Sequence, residues 1–313
     1  TGDGTSAKPF NTLSKAAAVI TTSGSVIHVK AGTYTEPSTV RLAKGVSLEG
    51  EGMANTIIKS SVSGQWSVFL SLESSQDTPG NQSISGLTFD GQYVSESNNK
   101  TWWGVLVSGR SNVVIHDCKI INFRDRGVVF DGNDVNDPVT DPGHYATGNK
   151  FYNNTVLNSA AQNNNYGSGL LNIGGQQGME IYGNTMVQDQ RAGTEWLADQ
   201  VLGQWLAQGG EDLEQYTYKE GFDGTYPGEG GNWDFAIELF NISGLEIYNN
   251  TNQGSIDLNY NKKGNYAFCT WIHHNKIGRP TANTHFESGI ILEFRTESAL
   301  IEHNIFNNVS SGV

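Results

Sequence analysis

The chain lacks several features that would assign it to a common class. It has no run of 18 apolar residues, which excludes a membrane-spanning helix. It has no block of basic residues, and 19 Lys and Arg stand against 32 Asp and Glu, for a net charge of −13. Nucleic acid is therefore not an expected partner. There is no phosphate-binding glycine loop, no nucleophile elbow and no zinc signature. The first residues, Thr1-Gly2-Asp3-Gly4, carry neither Met nor a signal-like segment, so a processed or trimmed product is expected. Prolines number only 7 and charged residues make up 16%. With 38 glycines and abundant Asn, this composition suits many short strands joined by tight turns.

The two cysteines, Cys118 and Cys269, do not suit a disulfide. They fall four repeats apart in the pattern described next. That is about 19 Å at an inter-strand spacing of ~4.8 Å, beyond the ~7 Å Cα separation a bridge tolerates. Two buried free thiols are expected.

A short apolar-polar strand followed by Asn recurs along the chain: Phe-Tyr-Asn-Asn-Thr at 151–155, Ile-Tyr-Gly-Asn-Thr at 181–185, Ile-Tyr-Asn-Asn-Thr at 247–251, Ile-His-His-Asn-Lys at 272–276 and Ile-Glu-His-Asn-Ile at 301–305. An earlier copy, Ile-His-Asp-Cys-Lys at 115–119, has Cys in the Asn position, and Leu87 precedes it in the same role. From Cys118 the column runs Asn154, Asn184, Asn250, Asn275, Asn304, with steps of 36, 30, 66, 25 and 29 residues. Self-similarity at this period marks stacked coils. Asn tolerates a left-handed turn while bonding its own backbone, which a coil needs at each corner.

Before the repeat, Thr12 to Ile20 reads as a short helix, Val26–Lys30 as a strand, and Ala31-Gly32-Thr33-Tyr34 as a turn. Further short strands are expected at Val46–Glu49, Thr56–Lys59, Val68–Leu72 and Ile84–Asp90. The opening 1–36 resembles the N-terminal cap and first coil of right-handed parallel β-helix proteins of the pectate-lyase-like superfamily. The resemblance covers essentially the whole chain. It implies an all-β fold, a single right-handed parallel β-helix over 1–313, with the helix covering the open end of the first coil. Residues 188–232 interrupt the rhythm. Glu195 to Gln208 has a helical apolar period including Trp196 and Trp205, and the remainder is acidic and aromatic, so a partly helical insertion over or beside a groove is expected. No C-terminal cap is legible at Ser310-Ser311-Gly312-Val313, so either the sequence stops inside the protein or a further domain or subunit covers that end.

Aligning coils on the Asn column also aligns the preceding strands. One alternating face is apolar throughout and forms the core. The other carries Asp131, Asn172, Glu238, Asp257 and Glu293 in an expected single line, continued by Phe240, Asn259 and Arg295. Like charges opposed on neighbouring strands destabilise a sheet, so packing does not account for such a line. Such carboxylates cannot all stay ionised without a cation or a raised pKa, and an acid beside an ionised partner is what glycoside hydrolysis uses. Glu238 and Asp257 are the candidate acid/base and nucleophile, with Glu293 tuning them or replacing the acid. Arg295, Asn172, Asn259, Asp131, Phe240, Tyr218 and Trp233 are candidate substrate-binding residues. Neighbouring rungs suit the ~5–5.5 Å carboxylate separation of retaining enzymes, and two rungs near the ~6.5–9.5 Å of inverting ones.

The leading expectation is a secreted or cell-surface glycoside hydrolase acting on a neutral or weakly charged polysaccharide or oligosaccharide, with no cofactor required. Two alternatives stand beside it. The resemblance implies that a calcium-dependent polysaccharide lyase could use Asp257, Glu293 and Glu238 as Ca²⁺ ligands with Arg295, Lys262 or Lys263 as base. Against that, a uronate polymer would meet an acidic groove. A non-catalytic glycan-binding or surface-structural coil is the third reading. His273-His274 suits a corner rather than a metal site. Asp134, Asp137 and Asp141 read as a solvated acidic loop, from which His144 and Tyr145 could reach the groove mouth.

Overall fold

A computed structural model describes residues 2–93, 100–132, 145–159, 169–187, 235–258, 267–278, 289–292, 295–307, 309 and 311–313. The segment 188–232 therefore lies outside the described residues, and its expected helix with it. So do Tyr218, Trp233, Asn259, Lys262, Lys263, Glu293, His144 and the acidic loop.

The chain winds as a parallel β-helix, each coil contributing a short strand to each of three faces. One face is a sheet of nine strands stacked strictly in chain order, from Gly32–Glu36 through Lys119–Ile121 and Thr155–Leu157 to Ile305–Asn307. A second face stacks Lys150–Tyr152, Glu180–Tyr182, Glu246–Tyr248, Trp271–His273 and Leu300–Glu302. The third stacks Trp103–Ser108, Arg126–Asp131, Leu171–Gln177, Phe235–Ser243, Ser255–Leu258 and Ile290–Leu292. Every pairing between these strands is parallel. Alternation places Ile and Leu inward on each rung, as with Val128, Leu171, Ile237, Ile256 and Ile290, all fully buried in one continuous core.

The N-terminal helix spans Leu13–Val19, with Thr12 as N-cap. Its first turn is fastened from below, since the amides of Leu13 and Ser14 donate to the carboxylate of Glu36, which is fully buried. Leu13, Ala16 and Ala17 pack onto the core, so the helix closes the first coil. The expected turn at 31–34 is instead mostly strand, Gly32–Glu36, paired in register with Thr56–Ser60. The expected strand Ile84–Asp90 breaks at Gly86, φ 70°, where the coil turns from one face to the next.

The Asn column is a chain of hydrogen bonds. The amide N–H of each member donates to the side-chain oxygen of the next: Cys118 to Asn154 at 3.0 Å, Asn154 to Asn184 at 2.9 Å, and Asn184 to Asn250, Asn250 to Asn275 and Asn275 to Asn304 at 3.0 Å each. Each side-chain NH₂ donates back to a carbonyl of the preceding coil, as Asn250 does to Ile181 at 2.9 Å. The left-handed residue is not this Asn but the one before it. Gly86, Asp117, Asn153, Gly183, Asn249, His274 and His303 all have φ between 51° and 70°. The corner therefore uses two residues, one that turns the backbone and one that binds the coils together.

The thiols differ. Cys118 is buried and Cys269 is exposed, contrary to the expectation of two buried ones; neither is in a disulfide. Cys269, φ 51°, occupies a second left-handed corner, where other coils have Asn112, Gly148, Gly178, Gly244 and Ser298.

Candidate functional site

The third face carries the carboxylates. Val129 pairs with Asn172, Asn172 with Glu238, Glu238 with Asp257 and Asp257 with Ile291. Three of the candidate residues, Asn172, Glu238 and Asp257, thus share one line on successive rungs. The Asn172 amide donates to the Glu238 carboxylate. A register break between Phe235 and Ile237 lies just before Glu238. Such irregularities re-aim side chains and occur near functional sites.

One described member of the expected line is displaced. Asp131 pairs with Gly174, not Asn172, and Gly174 pairs with Phe240. Asp131 and Phe240 therefore share the neighbouring line, two residues along the strands. Gly174 is required there: a Cβ on it would meet the Phe240 ring at 2.3 Å, so the missing side chain is what lets the ring lie across the strand. At the other end, Asp257 has Ile291 as its cross-strand partner, and Glu293 lies outside the described residues. The misplacement has one cause. Side chains repeat every two residues along a strand, so a slip of two preserves the apolar pattern while exchanging which polar residues meet.

Arg295 is also displaced. It is exposed at φ 52°, past the end of the strand Ile290–Leu292, and its carbonyl accepts from Ala267 N–H at 3.2 Å. It belongs to a turn between faces, not to the row of Phe240. Tyr145 is buried. Among the described residues no group of three or more His, Cys, Asp or Glu is arranged to hold a metal ion. His273 and His274 form a corner contact, Nδ1 to Nδ1 at 2.8 Å, and His273 Nε2 meets Glu246 at 3.0 Å.

The described part of the expected outward line is buried. Asn172, Glu238 and Asp257 are 2%, 3% and 0% exposed. They point away from the apolar core, whose residues alternate with them, and yet they are covered. Burying a carboxylate is costly unless it is hydrogen-bonded or paired, and here two occupy adjacent rungs about 4.8 Å apart. A solvated acidic decoration would avoid that cost. The segments 188–234, 259–266 and 279–288 adjoin these strands in sequence.

No protein-family model matches the sequence, and no curated protein matches it. Similar solved structures exist. The Dettilon tailspike protein aligns with 97% of the chain at a TM-score of 0.61 and 14% identity. The alginate lyase from Paenibacillus sp. str. FPU-7 aligns with 96% at a TM-score of 0.51 and 14% identity. The chain spans 48% of the length of the first and 93% of the second. At this identity the likeness is one of fold: the chain is a right-handed parallel β-helix.

Proposed function

We propose that this protein is a carbohydrate-active enzyme that cleaves a polysaccharide or oligosaccharide by hydrolysis, with Glu238 and Asp257 as the reacting pair. The observation that supports this most is their placement on adjacent rungs in register, both buried, with Asn172 donating to Glu238. One carboxyl protonates the leaving oxygen while the other, ionised, attacks the anomeric carbon or activates water. Asn172 donates to Glu238 and so orients its carboxyl. A separation of about one rung, ~4.8 Å, is near the ~5–5.5 Å of retaining enzymes, so a covalent glycosyl intermediate is the expected course. Phe240 offers a ring beside the pair for a sugar face, with Asp131 two rungs away in the same line.

The test is a glycan panel with product analysis. Hydrolysis gives new reducing ends with no absorbance from an unsaturated sugar, at a rate unchanged by chelator. Unsaturated products formed only in the presence of Ca²⁺ would replace this reading with the lyase one. Glycan binding without turnover on any member would replace it with a non-catalytic role.

A further inference from the structure

On the second face, successive coils end their strand with a ring and then a left-handed corner residue: His116-Asp117, Tyr152-Asn153, Tyr182-Gly183 and Tyr248-Asn249. The next coil has His273-His274, with His274 at φ 56°. Among these corners only this one sets two imidazoles side by side. Stacking accounts for the ring at 273, but a left-handed corner is met by Asn or Gly and does not call for a second imidazole.

His273 is held on three sides. Its ring stacks on Tyr248, centroids 5.2 Å apart, and on Trp271 at 4.0 Å. Trp271 is itself fixed, its indole N–H donating to Glu302 at 3.1 Å. The Nε2 of His273 meets the Glu246 carboxylate at 3.0 Å, and a carboxylate only accepts, so Nε2 carries the hydrogen. In the neutral ring Nδ1 is then left with a lone pair, and it lies 2.8 Å from His274 Nδ1, the two rings standing at 85°. An imidazole bonded to a carboxylate through one nitrogen and offering a lone pair at the other is the usual setting of a metal-ligating histidine.

We propose that His273 Nδ1 and His274 Nδ1 are the protein ligands of a late first-row divalent cation, Cu²⁺ ahead of Ni²⁺, with water in the remaining positions. Two nitrogens about 2.0 Å from one cation and at right angles lie about 2.8 Å apart, the spacing of neighbouring positions in a tetragonal site. Tetrahedral Zn²⁺ would hold them about 3.3 Å apart. Imidazole selects these metals over Ca²⁺ and Mg²⁺, which take oxygen ligands. Without the cation, the two nitrogens share the hydrogen of His274. On binding, that hydrogen leaves Nδ1 for solvent and one is taken up at Nε2, so the neutral pair binds with no net change in protons. Among the described residues no third His, Cys, Asp or Glu completes the set, and His274 is exposed, which leaves the outer side to water. His303, at the same corner one coil on, has its ring 5.0 Å from that of His274 and stays outside the set. The site lies on the second face, apart from Asn172, Glu238 and Asp257 on the third. A cation there fastens the strand Trp271–His273 to its corner and takes no part in cleavage.

Titration of copper sulfate into the wild-type protein, in a non-chelating buffer near neutral pH, tests this by calorimetry and electron paramagnetic resonance. One tight equivalent is expected, with hyperfine splitting from two nitrogens, and calcium chloride is expected to give none. His273→Tyr and His274→Asn restore the residues of the preceding coil, Tyr248 and Asn249, so both are expected to fold. Each is expected to weaken the tight equivalent at least tenfold, and His28→Asn, at the other end of the stack, to leave it unchanged. Thermal melting checks the fold of each variant, and copper is expected to raise the midpoint of the wild type but not of the two corner variants. Should His273→Tyr melt early, His274→Asn, at an exposed position, carries the test alone. No tight equivalent, splitting from fewer than two nitrogens, or a tight equivalent kept by either folded corner variant would each overturn the proposal.

Discussion

Single residues carry the sharpest contrasts in this molecule. Cys118 takes an Asn position in the ladder, and burial pushes its thiol up to about 12 from an ordinary value of 9.0. Below pH 9 it is neutral in both folded and unfolded chains and makes no difference to pH dependence. Above that, the unfolded thiol ionises and the folded one does not, so stability falls as pH rises from about 9 towards about 12. A thiol-reactive dye at neutral pH should label one cysteine per native chain, Cys269, and two after denaturation. Equal labelling of both in the native protein would contradict the burial of Cys118. Asn252 is the opposite case. It sits inward in the column Val156, Met186, Asn252, Ile277, is 1% exposed, and neither of its side-chain polar atoms has a hydrogen-bond partner among the described residues. Leaving such groups buried costs about 1–3 kcal/mol, so Asn252→Met should raise the denaturant midpoint. A fall would mean that the amide is satisfied after all.

At the scale of elements, the coils are held by columns rather than by individual strands of three or four residues. The Asn column is one. An aromatic stack on the second face is another, with His116, Tyr152, Tyr182, Tyr248 and His273 spaced 4.8–5.2 Å with near-parallel rings. Their ring faces are used by each other, so this stack is scaffold. Asn250→Ala removes acceptor and donor together and leaves the Asn184 amide and the Ile181 carbonyl unpaired. It should cost at least about 2 kcal/mol, since each buried group so orphaned costs ~1–3. Urea denaturation checks this, and a change under half a kcal/mol would mean that the column contributes little. Much of this scale was legible in the sequence. Thr12 to Ile20 delimits the helix to its caps, and the column Leu87 to Asn304 sets the coil register, because both depend on local chemistry. The polar line was read less well. Asp131 lies two residues out of phase with the expected line, since core patterning cannot distinguish a shift of two. The cover over Glu238 and Asp257 was not legible, because alternation says which side a residue faces and not what lies on it.

In the whole molecule, distance along the chain counts for little: as Asn184 and Asn250 are neighbours across 66 positions, Glu238 and Asp257 are neighbours across 19. The first coil is closed by a helix tied to Glu36, so Glu36→Ala should lower the midpoint of unfolding while leaving the distant carboxylates undisturbed. A site built this way is as rigid as its rungs, which suits two groups that must keep a fixed separation during reaction. Among described residues no helix is long and apolar enough to cross a membrane. The most direct measurement is turnover of the responsive glycan by Asp257→Asn and Glu238→Gln, proteins that keep side-chain volume, with folding checked by thermal melting. Loss of at least about a hundredfold in kcat for each, as expected for removal of an acid, base or nucleophile, is the predicted result. Turnover within a few-fold of wild type in either folded variant would contradict it.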